Sequence, residues 1–220
     1  MKTVRIQGKE WRIVMKTYWM VLLGILAAAF QVAADPVDPD PDGIGIYFDE
    51  GAVADIWCVT AEPGTQVTAY LCLTRGVDTS GFDAWEGRIE SSVAEALAGF
   101  NIRGGGVNAS VAPEFVVSFG TPLPWQLSTV LLDITVDVVW EWSIGLRVWP
   151  VVNPSGDDLL PAYAAAGNPG VYRTLGYSLG WDPQTKVPNW CAAVNDDNCL
   201  NGPSIETGDS TWGEIKVLYR

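Results

Sequence analysis

Residues 128–142 read Ser-Thr-Val-Leu-Leu-Asp-Ile-Thr-Val-Asp-Val-Val-Trp-Glu-Trp. Val130, Leu132, Ile134, Val136, Val138, Trp140 and Trp142 recur at every second position, with Asp133, Thr135, Asp137 and Glu141 on the opposite phase. Successive side chains of a strand point to opposite faces, so this period of two describes a strand with one dry face and one wet face. Such a strand belongs to an antiparallel sheet covered on one side only. The same phase places Trp140 and Trp142 in the core.

Working outward, residues 65–73 alternate too, with Val67, Ala69, Leu71 and Leu73 on one face and Thr68, Tyr70 and Cys72 on the other. Residues 44–48, 54–60, 81–90, 115–119, 146–151 and 172–179 read as further strands, separated by turn signals such as Glu62-Pro63-Gly64 and Pro122-Leu123-Pro124. Residues 92–97 fit a helix opened by a Ser92-to-Glu95 capping box and a strand equally well. Thr211-Trp212-Gly213-Glu214 is a second capping box, and Lys216 and Arg220 suit the negative end of a short C-terminal helix. The fold expected is all-β, an antiparallel β-sandwich of immunoglobulin-like or jelly-roll-like kind with that terminal helix.

The first 34 residues read as a secretory signal peptide: a basic segment (Lys2, Arg5, Lys9, Arg12, Lys16), an apolar run at 18–30, then Val32-Ala33-Ala34. Residues 35–43, where Asp and Pro alternate, form an acidic linker that can neither wind nor pair, and residues 44–220 are the sandwich domain. The expected location is secreted or periplasmic, with no membrane span once the leader is cleaved. Cleavage leaves 8 Lys+Arg against 25 Asp+Glu. That balance repels phosphate backbones and argues against nucleic acid as a partner.

The 220 residues include no histidine, which excludes Ser-His-Asp and Cys-His catalysis and imidazole zinc sites. Cys58, Cys72, Cys191 and Cys199 all follow the leader, where an oxidising compartment favours disulfides. Three pairings are open. Sequence proximity favours Cys58–Cys72, on two apparently neighbouring strands, and Cys191–Cys199, closing a polar loop that carries Asp196 and Asp197.

Asp38, Asp40 and Asp42 before Gly43, with Asp49 at the twelfth position, have the spacing of a calcium loop, although an acidic linker explains them as well. No other cofactor is implied. Nine tryptophans follow the leader, and indole faces stack on sugar rings. Trp125, Trp149, Trp181 and Trp190, out of phase or beside Pro and Gly, are the ligand-binding candidates. Glu86 and Glu141, both on expected strands, are the carboxylates a histidine-free glycoside hydrolase would pair.

Val67-Thr-Ala-Tyr-Leu-Cys-Leu-Thr74 followed by Ser80-Gly-Phe-Asp-Ala-Trp-Glu-Gly-Arg-Ile89 resembles the early strands of cohesin-type and related carbohydrate-binding sandwiches. Residues 42–49, Gly120-Thr-Pro-Leu-Pro-Trp125 and Trp212-Gly-Glu-Ile-Lys216 are also similar to secreted proteins of environmental bacteria. The first resemblance implies a β-sandwich that binds a polysaccharide or another extracellular protein. A secreted, non-catalytic binding or structural module is therefore the function expected. The alternatives are a small secreted glycoside hydrolase and a calcium-stabilised structural surface protein.

Overall fold

The computed structural model of the chain describes residues 41–53, 57–155, 160–168, 170–177 and 191–196. They form thirteen strands: β1 (Gly43–Tyr47), β2 (Cys58–Val59), β3 (Gln66–Thr74), β4 (Phe82–Ser91), β5 (Leu97–Ile102), β6 (Val107–Asn108), β7 (Glu114–Leu123), β8 (Ser128–Asp137), β9 (Ile144–Trp149), β10 (Ala162–Ala165), β11 (Tyr172–Thr174), β12 (Gly176–Tyr177) and β13 (Ala192–Val194). Two layers result. One sheet has the order β12-β1-β3-β8-β5, and the other runs β11-β10-β4-β9-β13-β2 with β7 beside β4 and β6 beside β7. Most pairings are antiparallel; β1–β12 and β2–β13 are parallel. The chain is an all-β sandwich, as its alternation predicts.

The inner faces follow the sequence phase through most of their length. Ala69, Leu71 and Leu73 of β3 and Leu132, Ile134 and Val136 of β8 are all 0% exposed. Opposite them stand Trp85 and Ile89 of β4 and Phe115 and Val117 of β7. Phe115 stacks on Trp85 at 5.6 Å and meets the edge of Phe100 from β5 at 5.1 Å, so one aromatic chain crosses between the layers. Gly81 enters β4 at φ +102°, where a Cβ would stand 2.7 Å from the Leu123 carbonyl oxygen. Only glycine fits that approach.

Two departures reshape the 128–142 reading. Leu71 pairs with Leu132 but Cys72 pairs with Val130, so Leu131 is an inserted residue and the phase flips. Val130 thereby turns to the outer face, beside Tyr47, Ala52 and Cys72. The second departure is the strand's end. Both neighbours of β8 stop together, since the last pairs are Gln66 with Asp137 and Leu97 with Val136. Beyond Val138, whose backbone still bonds Gly64 and Thr65, the chain joins no ladder until β9 begins at Ile144. Val138 stays buried, but Trp140 and Trp142 are 55% and 79% exposed, which corrects their expected place in the core.

Other expectations are also refined. Residues 92–97 form one 3-10 turn, Ala94–Ala96, before β5 begins. The strand expected at 54–60 is confined to Cys58–Val59 among the described residues. Ala192–Val194, expected in a polar loop, is a buried strand between β9 and β2. The leader (1–34), the linker up to residue 40 and the C-terminal helix lie outside the described residues. No helix among the described residues is long and apolar enough to cross a membrane.

Candidate functional site

The β8–β9 connection, residues 138–143, is the most exposed aromatic segment described. Its base is fixed by two backbone hydrogen bonds: Gly64 N–H donates to Val138 O at 2.7 Å, and Val138 N–H donates to Thr65 O at 2.9 Å. Farther along, Ser143 Oγ donates to Asp196 Oδ2 at 3.0 Å, tying the loop to the segment after β13. Between these anchors Val139, Trp140, Glu141 and Trp142 are all exposed. A groove of about 590 Å³ opens beside the loop, lined by Gly64, Thr65, Gln66, Asp137, Val138 and Val139. Gln66 Nε2 donates to Asp137 Oδ1 at 2.9 Å and holds that carboxylate in place. The groove thus offers a hydroxyl, an amide and a carboxylate, and Val138 and Val139 carry its lining into the loop.

The tryptophans selected from sequence are placed differently. Trp125 is half-buried against the core, and its indole N–H donates to Gly76 O at 2.7 Å. Trp149 lies on the outer face of the larger sheet, with the guanidinium carbon of Arg147 at 4.7 Å and that of Arg88 at 5.9 Å from its ring. Its faces are occupied by cations of its own sheet. Trp181 and Trp190 lie outside the described residues. Alternation alone hides the exposed pair, because an unbroken period of two describes an unbroken strand. Its length was the available signal, since fifteen residues is far beyond the usual strand of about 5–6.

The aspartates of the expected calcium loop are not brought together. Asp42 and Asp49 flank opposite ends of β1, and an extended strand rises about 3.3 Å per residue. Asp42 Oδ1 already accepts from Val77 N–H and from the Tyr163 hydroxyl, both at 2.8 Å. Asp49 caps its own turn, accepting from Val53 N–H at 3.1 Å. Asp38 and Asp40 lie outside the described residues, and no metal-holding cluster of three ligands occurs among those described.

The two local disulfides do not form, because both Cys72 and Cys191 are buried thiols. Cys58 and Cys72 belong to strands of different sheets, so they are not the neighbours their sequence spacing implied. Cys58 is disulfide-bonded. Cys191 sits in the inter-sheet core, and Cys199 lies outside the described residues. Burial pushes the Cys72 thiol up to about 12 and the Cys191 thiol up to about 11. Both are therefore poor nucleophiles and poor metal ligands near neutrality.

Glu86 is 1% exposed, and its two oxygens accept from Ser155 N–H and Ser155 Oγ, each at 2.7 Å. Glu141 belongs to the exposed loop. The two carboxylates share no element, and no hydrogen bond or bridging residue joins them among the described residues.

No family model and no curated protein matches the chain. Among solved structures, it is similar to the sixth cohesin of Acetivibrio cellulolyticus scaffoldin B, solved in complex with Cel5 dockerin. The identity is 13% and the TM-score 0.32, covering 70% of this chain and 96% of that one. A chain of the CaDoc0917–CaCohA2 complex matches at 10% identity and TM-score 0.30, covering 58% of this chain and 88% of that one.

Proposed function

We propose that the chain is an exported, non-catalytic binding module that holds a polysaccharide on the exposed tryptophans of its β8–β9 loop. One observation carries the reading: Trp140 and Trp142 are 55% and 79% exposed on a loop anchored at both ends. Tryptophan is highly buried on average, so two solvent-facing indoles two residues apart call for a partner. The flat apolar face of a pyranose ring covers an indole well, while its hydroxyls need polar neighbours. Thr65, Gln66 and Asp137 in the adjoining groove supply them. Export is supported by the leader-like first 34 residues.

Retention on a panel of insoluble polysaccharides tests the proposal. The full chain is expected to be held by at least one of them, and a Trp140→Ala/Trp142→Ala double variant to be released. Failure of every polysaccharide to retain the chain would sink the reading, as would retention that survives the double substitution.

A further inference from the structure

We infer that the open edge of β5 is an interaction surface whose partner is the β5 strand of a second copy of the chain, running antiparallel to the first. β5 ends the smaller sheet, and all its pairs are with β8. A strand at the end of a sheet presents a row of backbone N–H and C=O groups on its free side. No hydrogen bond joins that side of β5 to a described residue.

The remaining edges are short or sealed. β2, β6 and β12 have two residues each and β11 has three, whereas β5 has six. β7 is sealed along its first half by the Asn108 side chain, whose Oδ1 accepts from Val116 N–H at 2.8 Å and whose Nδ2 donates to Glu114 O at 3.0 Å. Pro122 removes a donor from its second half. β5 reads Leu97-Ala-Gly-Phe-Asn-Ile102 and has neither proline nor charge, the usual guards of an exposed edge. Its single bulge, at Ala98, leaves a regular ladder over residues 99–102.

The flanks of the strand select a second copy. Glu95, exposed, precedes β5 and Arg103 follows it, each four residues from Gly99. Antiparallel pairing about a two-fold axis at Gly99 lays the start of each strand beside the end of the other, so Glu95 of each copy meets Arg103 of the other. Arg103 gives Nε to Asp133 and Nη2 to Glu50, and its Nη1 bonds no described residue. The axis falls on a residue with no side chain to collide with its own copy. A chain with 26 Asp+Glu against 13 Lys+Arg repels its copies in general, and an uncharged strand with opposite charges at its two ends is where that repulsion is offset.

A strand edge this short buries little area, so the association is weak. Sedimentation equilibrium of the full chain is expected to show monomer at about 10 μM and a growing dimer fraction towards about 1 mM. Hydrogen exchange compared at the two concentrations should gain protection at residues 97–102 and not in the β8–β9 loop. Ala98→Lys/Asn101→Lys, which sets two like charges on the exposed edge, should abolish association while leaving the far-ultraviolet circular dichroism unchanged. Glu95→Lys should weaken it by about threefold or more. A chain that stays monomeric at about 1 mM would overturn the proposal. Dimers protected outside residues 97–102, or undiminished by these substitutions, would overturn it too and place the contact on another surface.

Discussion

The Tyr163 hydroxyl donates a 2.8 Å hydrogen bond to Asp42 Oδ1, joining β10 of one sheet to the residue that precedes β1 of the other. The same oxygen accepts from Val77 N–H, and the Asp42 backbone bonds Arg75 and Gly176. An aspartate read from sequence as a calcium ligand is instead a tie between layers. Its φ of +53° suits this place, because Asp and Asn tolerate the left-handed region better than other side chains with a Cβ.

Tyr163→Phe is expected to destabilise the fold by about 1.5–3 kcal/mol, the range for a hydrogen bond to a charged group. Asp42→Asn should cost less, since its amide oxygen still accepts. Urea unfolding measures both, and equal midpoints for wild type and Tyr163→Phe would contradict the role assigned to this bond.

Stability should fall at alkaline pH. The folded state raises Cys72 from 9.0 to about 12 and Cys191 from 9.0 to about 11, in both cases chiefly by burial. Burial first, then the Asp42 carboxylate, raise the Tyr163 hydroxyl above its ordinary 10.0. A folded pKa above the unfolded one means that the unfolded chain releases protons first as pH rises. This stabilisation is therefore complete below about pH 9 and drains away as pH climbs through about 11 and 12. Unfolding midpoints followed across that window should decline, and Cys191→Ala should flatten part of the decline.

Native protein kept free of reductant should contain two thiols that resist alkylation until the chain is denatured, because Cys72 and Cys191 are buried and held protonated. Mass spectrometry after iodoacetamide treatment in urea should find both labelled. Two disulfides and no thiol would refute the free state of Cys72 and Cys191.

Trp85 and Trp140 should behave as opposites. Trp85→Ala empties a fully buried site stacked on Phe115 and should cost about 3–5 kcal/mol. Trp140→Ala removes an exposed ring and should change stability by no more than about 0.5 kcal/mol. Denaturant unfolding compares them directly, and comparable losses would place Trp140 in the core after all.

Much of this architecture was legible in the sequence, because alternation is a local property. A strand that buries one face must write that face at every second residue, and β3 and most of β8 do so. The strands without such a signature escaped. Ala162–Ala165 and Ala192–Val194 are buried throughout, so no polar phase marks them. The polar site was less legible still. Asp42 depends on Tyr163, more than one hundred residues away and on the other sheet, and spacing along the chain carries no record of that.

The sequence by itself determined the fold class, the inner faces of the principal strands and the chemistry that a chain without histidine cannot use. The tertiary structure alone decided where β8 ends. Residues 138–142 continue the apolar phase of a strand, but a strand persists only where a neighbour supplies hydrogen bonds, and β3 and β5 both stop opposite its last turn toward the loop. That shortage of partners, which no local pattern encodes, puts Trp140 and Trp142 into water although their phase reads as core.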